Sequence, residues 1–288
     1  MKRYTTAAHN LWLNLVGAWT ITGDMRSFFR LATDFILARV LLFRPLRSAE
    51  SRRSIQLKSD VTIYYRLNRG DIWAIYEIWI EQSYRLPEGQ SPLSPGVFVD
   101  LGANIGLTAL WYAKTYNCNK IIAVEAVPSN SELVKLNLES NGIEAHVIDA
   151  AVGRVDGEAR LLVSDCSTNS RIEFDLSVDH TEDDNLVEVR SIDVRSMESI
   201  LGVLSDDEKI AMVKVDIEGG EQELLSGDVN WLSRCRTVFA EFHHSLVDYP
   251  ALTNILENAG LTPRSCVVTN ETLRHTLEFF SRNKPSVA

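Results

Sequence analysis

The chain has 288 residues, 45% of them hydrophobic and 24% charged, with a formal net charge of −10. This ordinary globular usage excludes a disordered, collagenous or low-complexity chain, and the acidic balance excludes a generally basic, nucleic-acid-binding surface. The length admits one large domain with a substantial extension. Four cysteines (Cys118, Cys166, Cys235, Cys266) without a CxxC pair exclude a disulfide scaffold or a cysteine zinc cluster, and they fit a reducing, cytoplasmic setting.

Residues 1–53 carry nine Lys/Arg against three Asp/Glu, whereas the remainder carries twenty against thirty-six. Apolar stretches run through the same segment, but Asp24, Arg26, Arg30, Asp34 and Arg39 interrupt them. No run approaches the roughly 18 uncharged apolar residues of a spanning helix. No apolar core followed by an Ala-x-Ala-like site marks a cleaved signal peptide either. Residues 10–44 are predicted to form two helices, broken at Thr22–Gly23–Asp24, with Asp24 capping the second. Two roles are expected for residues 1–53. One is a helical cap, packed on the main domain, that shapes the acceptor entrance or mediates self-association. The other is a peripheral contact with an anionic membrane surface. Packing alone would account for Trp12, Trp19, Phe28 and Phe29.

Residues 54–95 form the lead-in. Alternation and β-branching over residues 54–66 predict a short hairpin. From Asp71 to about Tyr84, Ile72, Ile75, Tyr76, Trp79 and Ile80 share one helical face, and Trp73, Tyr76 and Trp79 are expected in the core. Three prolines over residues 87–96 mark the entry to the main domain, residues 96–288. From there short apolar strands (97–101, 120–125, 143–149, 210–216, 237–242, 267–269) alternate with helices (107–116, 129–141, 220–225, 246–259). That order predicts a parallel α/β sheet covered on both faces. Segments 158–163 and 186–194 read as an antiparallel pair. They flank residues 172–189, which hold seven Asp/Glu and no Lys/Arg, as a solvated loop would.

The chemistry concentrates at strand ends. VFVDLGANIGLTAL delivers Asp100 at a carboxyl edge, where open α/β sheets bind ligands. Gly102 and Gly106 permit a tight turn. The second glycine of a dinucleotide fingerprint is replaced by Asn104, which disfavours a pyrophosphate, while Asp100 suits a ligand carrying a positive amine. Glu125 ends the second strand, placed to accept hydrogen bonds from ribose hydroxyls. Asp149 ends the third, where it can accept from an adenine amino group. Asp216 follows the fourth strand, with Glu218 and Glu221 in the next turn. Glu241 and His243, two residues apart on the fifth, share a face. Asp216, Glu218, Glu241 and His243 could form a base dyad or an oxygen-rich divalent-metal site, for instance for Mg²⁺. Glu221 alone also suits the dipole of a helix start, and Lys214 reads as a stem packed near the rim.

Taken in order, VDLGANIG, VEAVPSN, AAVG after Asp149 and MVKVDIEGGEQELLSG resemble the FkbM-type S-adenosylmethionine-dependent methyltransferases. The resemblance covers roughly residues 71–242, with Asp216, Glu218, Gly219 and Glu221 as its most specific part. It implies a class I methyltransferase fold, a Rossmann-like doubly wound sheet of seven strands whose last is antiparallel, here with an N-terminal helical extension. It also implies methyl transfer to a hydroxyl oxygen of a small molecule or glycan. Asp100, Gly102, Ala103, Asn104 and Gly106 would then hold the methionine portion of the cofactor, Glu125 the ribose, and Asp149 with Ala150 the adenine. Two other readings stay open on the residues alone, a noncatalytic cofactor-binding module and a nicotinamide-dependent oxidoreductase.

Overall fold

The structure is a computed structural model, and it describes residues 2–40, 51–88, 96–118, 120–164, 171–174, 186–205, 207–218, 220–270 and 275–282. Gly219, Cys166 and most of the acidic stretch at 172–189 therefore lie outside the described residues.

The chain opens with a helical hairpin, α1 (Lys2–Ile21) and α2 (Met25–Val40). The turn is made as expected, because the Asp24 carboxylate accepts from the Ser27 backbone N–H at 2.9 Å and so satisfies an orphan donor of the first turn. A β-hairpin follows, β1 (Arg52–Gln56) against β2 (Thr62–Arg66). The outer edge of β2 is not left open. Asn141 and Asn137 offer their side-chain amides to Thr62 and Tyr64, each accepting from one backbone N–H and donating to one carbonyl at 2.7–3.0 Å, which masks an edge that would otherwise pair with another chain. The α3 helix (Arg69–Ile75) then widens into a π-helical segment, Tyr76–Glu81. Ile72, Ile75 and Trp79 of this run are buried, but Trp73 is 56% exposed and lies stacked on Tyr76. Its expected core position is corrected: Trp73 follows directly after Ile72 and is turned away from the face that carries Ile72, Ile75 and Trp79.

The main sheet has seven strands: β3 (Val97–Leu101), β4 (Ile121–Glu125), β5 (Ala145–Asp149), β10 (Ile210–Val215), β11 (Cys235–His243), β12 (Thr262–Asn270) and β13 (His275–Ser281). Their spatial order is β12-β13-β11-β10-β3-β4-β5, parallel from β5 to β11, with β13 antiparallel to both of its neighbours. This is the seven-stranded, doubly wound α/β arrangement expected. Helices α4 (Leu107–Tyr116), α5 (Pro128–Glu139), α6 (Met197–Leu201), α7 (Glu221–Ser226) and α8 (Tyr249–Asn258) connect its strands. A second sheet between β5 and β10 joins β6 (Ala151–Val152), β7 (Gly157–Ser164), β8 (Arg171–Glu173) and β9 (Leu186–Arg195), with β7 and β9 antiparallel as predicted.

Strand alternation divides the core. Phe98, Met212, Phe239, Leu277 and Phe279 belong to one buried cluster, together with Leu31 and Phe35 of α2, Ile55 and Ile63 of the β-hairpin and Ile75 of α3. Val97, Val99, Val213, Val238 and Phe280 belong to the other, with Leu224 of α7 and Leu252 of α8. The N-terminal extension therefore shares one core with the sheet. A buried polar knot reinforces it: Asp34 of α2, fully buried, accepts from Arg53 Nη1 at 2.5 Å and from the Tyr65 hydroxyl at 2.6 Å. Burial pushes the Asp34 carboxyl up despite these two partners.

The outer side of the extension differs from expectation. Among the α1 side chains described, residues 9, 12, 13, 16, 19 and 20 are exposed, one helical stripe. It presents Trp12, Leu13, Val16 and Trp19, and Phe29 beside it on α2 is 60% exposed. Inward packing is instead supplied by Gly17 and Ala18: a Cβ at Gly17 would come within 2.7 Å of the Ile80 side chain. Among the described residues no helix is long and apolar enough to cross a membrane.

Replacing Asp34 with Ala leaves the buried Tyr65 hydroxyl and the half-buried Arg53 guanidinium without their acceptor. It is expected to cost about 3 kcal/mol, read as a lower urea midpoint in an otherwise soluble protein.

Candidate active site

The edge at which the parallel strands end carries the polar side chains, and alternation puts most of them on one face. Asp100 lies two residues from Phe98, Lys214 two from Met212, Glu241 and His243 two and four from Phe239, and His275 two from Leu277. All of these apolar residues belong to the cluster under the N-terminal elements.

Lys214 is central, and its expected position near the rim is corrected. An ammonium on a strand covered on both faces cannot reach solvent, and Lys214 is 3% exposed. Its Nζ donates to the Gly102 carbonyl at 2.8 Å and lies 3.3 Å from Asp100 Oδ1 and 3.2 Å from Asp216 Oδ2. The register pairs Lys214 directly with Asp100 across β10 and β3. Tyr84 packs its ring 5.5 Å below the ammonium and donates its hydroxyl to Asp216 Oδ2 at 3.2 Å. Burial opposes the cation, but the charges of Asp216 and Asp100 outweigh it, so Lys214 is held protonated. Burial also opposes ionisation of Asp216, and there Lys214 and His243 prevail and hold its carboxyl below the usual range. For fully buried Asp100, burial wins and the carboxyl is raised.

The turn after β3 uses left-handed backbone at Gly102 (φ 75°), Asn104 (φ 51°) and Gly106 (φ 81°). Gly102 is obligatory, since a Cβ there would lie 1.8 Å from the Asp216 carbonyl oxygen. Ala103 is buried, while Gly102 and Asn104 are half-buried at the edge. Glu125, at the end of β4, accepts from the Asn104 N–H at 2.8 Å, the Val127 N–H at 2.9 Å and the Asn130 side-chain amide at 3.3 Å. Burial pushes its carboxyl up to about 7 against those bonds. An ionised carboxylate accepts about four hydrogen bonds, so capacity remains for a ligand. Asp149 is opposite Glu125 in register. It is exposed, bonded to the Ser131 hydroxyl and paired with Lys135 at 2.9 Å. Ala150 is buried and donates its N–H to the Glu125 carbonyl at 3.1 Å.

Asp216, Glu218, Glu241 and His243 are brought together as expected. Ligand atoms of Asp216, Glu218 and His243 lie within 4.8 Å of one another, and so do those of Glu241, His243 and His275. His243 is buried, with Nε2 3.2 Å from Glu218 Oε2 and Nδ1 2.8 Å from Glu221 Oε1. Burial works against the imidazolium, but hydrogen bonds to Glu218 and Glu221 and their charges push the pKa up to about 11. Glu221 begins α7, as a dipole-compensating acid would, yet it is fully buried and also holds His243.

Four contributors escaped the sequence reading: Lys214, Tyr84, Glu77 and His275. Burial, reinforced by the charges of Asp216 and Glu241, pushes the Glu77 carboxyl of the π-helical segment up to about 8. Lys214 had a signal, a lone cation inside the apolar run IAMVKV. His275 had none, because β13 carries no turn or motif that marks it.

The cofactor-side donor set fits S-adenosylmethionine. The carboxylate of Glu125 is only partly used, the adjoining turn is half-buried at the sheet edge, and no glycine replaces Asn104 to admit a pyrophosphate.

Comparison with known proteins agrees. The Methyltransferase FkbM domain matches residues 100–262. Methyltransferase 1 of Beauveria bassiana (strain ARSEF 2860) is 26% identical over 225 residues, covering 72% of this chain and 88% of its own length. Methyltransferase sdnD of Sordaria araneosa is 25% identical over 229 residues, covering 71% and 87%. Among solved structures, the Methanococcus jannaschii fibrillarin pre-rRNA processing protein aligns with a TM-score of 0.46 at 12% identity, over 84% of this chain and 87% of that one. The chain belongs to the FkbM family of methyltransferases, which are S-adenosylmethionine-dependent.

Proposed function

We propose that this methyltransferase acts on a hydroxyl oxygen of a small molecule or glycan. The observation that carries the reading is the group of carboxylates and one imidazole gathered beside Asp216, at the edge that also holds the cofactor turn. S-adenosylmethionine, when bound, supplies a methyl group already activated on a sulfonium. The protein then has to bind, align and deprotonate. In this reading the turn from Asp100 to Gly106 holds the methionine portion and Glu125 the ribose diol. Asp149 offers the adenine the lone pairs that Ser131 and Lys135 leave. A hydroxyl nucleophile needs a proton acceptor, and His243, already protonated, does not serve. Asp216 is held too acidic. Glu218, whose carboxyl is raised by burial over the opposing bond to His243 and whose side chain is 42% exposed, is the acceptor, with His243 and Asp216 positioning it and the substrate.

The outward face of α1 and α2 supports a partner for this activity. Trp12, Val16 and Trp19 continue through an edge-on Trp19–Phe28 contact of 5.3 Å to Phe29, with Arg26 and Lys58 exposed beside them. A second copy would bring like charge against like in a two-fold contact. An anionic lipid surface complements the basic extension and repels the acidic remainder, which orients the molecule.

Four outcomes are expected. Glu125→Ala weakens S-adenosylmethionine binding by roughly 1–3 kcal/mol in calorimetry. With the Glu125 carboxyl near 7, wild-type affinity falls as pH drops from 8 to 6, because the ionised acceptor is lost, and the variant shows no such slope. In turnover assays over a panel of hydroxyl acceptors, Glu218→Gln and His243→Ala lower kcat by about 10²–10⁴ with cofactor affinity retained; turnover only on nitrogen or carbon acceptors would replace the oxygen assignment. The protein pellets with phosphatidylserine vesicles, less so as salt rises, and Trp12→Ser/Trp19→Ser abolishes pelleting. A soluble dimer that is lost in the same variant would assign the face to self-association instead.

A further inference from the structure

Beyond the acceptor chemistry, we propose that Glu241, His243 and His275 bind a divalent transition-metal cation of the Mn²⁺/Zn²⁺/Fe²⁺ class. His243 and His275 are directly opposite in the β11–β13 ladder, with ring centroids 4.3 Å apart. Glu241 lies two residues before His243 on the same face of β11. One ligand atom from each of the three falls within 4.8 Å of the other two. Two imidazoles and one carboxylate on rigid neighbouring strands form the facial set that leaves coordination positions open.

A second observation points the same way. The buried Glu221 carboxylate engages His243 Nδ1 at 2.8 Å, which leaves Nε2, 3.2 Å from Glu218 Oε2, as the ring nitrogen a metal would take. Metal-bound imidazoles are oriented in this way, by a carboxylate on the other ring nitrogen. Charge agrees as well. Asp216, Glu218, Glu221 and Glu241 gather around one permanent cation, Lys214, which also neutralises Asp100, and a metal ion would displace the His243 proton and take over its charge. Two imidazoles with a single carboxylate set this site apart from the oxygen-rich Asp216, Glu218, Glu241 and His243 site expected from the sequence. Asp216 and Glu218 adjoin this set through the His243 they share with it. A substrate hydroxyl bound at an open position would have its proton made more acidic by the cation and would pass it to Glu218.

The proposal uses the methyltransferase reading only for the cation's role, so its test omits cofactor and substrate. EDTA-stripped, tag-free full-length protein is titrated with MnCl₂, ZnCl₂, CoCl₂ and MgCl₂ by calorimetry and by elemental analysis after gel filtration. The expected result is one equivalent of Zn²⁺ or Mn²⁺ per chain, with Mg²⁺ at least 100-fold weaker, and a Co²⁺ visible spectrum. His275→Ala should lower affinity at least 100-fold and remove the spectrum. Glu221→Gln should lower it 10–100-fold. Melting temperature and S-adenosylmethionine affinity, measured in parallel, report whether either variant is folded. Failure of the wild type to bind any of the ions, or unchanged binding in a folded His275→Ala, overturns the proposal and leaves the cofactor assignment standing.

Discussion

The buried ammonium of Lys214 sets the terms for everything around it. A cation removed from water on a central strand is tolerated only if charge and hydrogen bonds replace its solvent. Asp100, Asp216 and the Gly102 carbonyl do so here. Those three groups belong to the cofactor turn on one side and to the proposed acceptor cluster on the other. The same contact explains why the turn admits no side chain at Gly102, where the Asp216 carbonyl fills the space of a Cβ. The ends of β3 and β10 are thereby locked together, and any shift of Asp216 is also a shift of the turn.

The face below this lock is furnished by the extension. Tyr84 closes the Lys214 site from beneath, and the π-helical segment before it carries Glu77. A π turn widens the helix by one residue, and such turns recur at functional sites. The α1 helix rests on this segment through Gly17 and Ile80. The described parts of α1, α2 and residues 51–88 thus share one hydrophobic core with the sheet beneath these charges.

Much of this was legible beforehand, for identifiable reasons. Strands β3, β4 and β10 are apolar runs closed by Asp100, Glu125 and Asp216, and burial on both faces with a polar edge produces that pattern. The α2 cap was readable because Asp24 offers its oxygen to a local donor. Glu241 and His243 were placed on one face by the two-residue period alone. What was missed depends on distant packing. Lys214 was read as a rim residue because lysine is seldom buried, and its partners stand 114 residues before it (Asp100) and two after it (Asp216). For Trp12, Trp19 and Phe29 the sequence left packing and surface contact as alternatives, and the structure exposes them while small residues, Gly17 and Ala18, carry the close contact of α1. His275 became visible only through the β11–β13 register.

The position of β13 between β11 and β12 has a consequence for how the two parts of the site depend on the fold. This strand is the last described element in the chain, yet it is interior to the sheet and runs against both neighbours. Its neighbour β12 has no other partner in the sheet, so the antiparallel β12–β13 pair meets the rest of the sheet through β13 on β11 alone. With His275 on this strand and His243 opposite it, the histidine pair exists only where β13 lies on β11, whereas the β3 turn and Glu125 stand on strands that do not touch β13. In the proposed reading, a change at β13 therefore falls on the cation centre and leaves the cofactor turn intact.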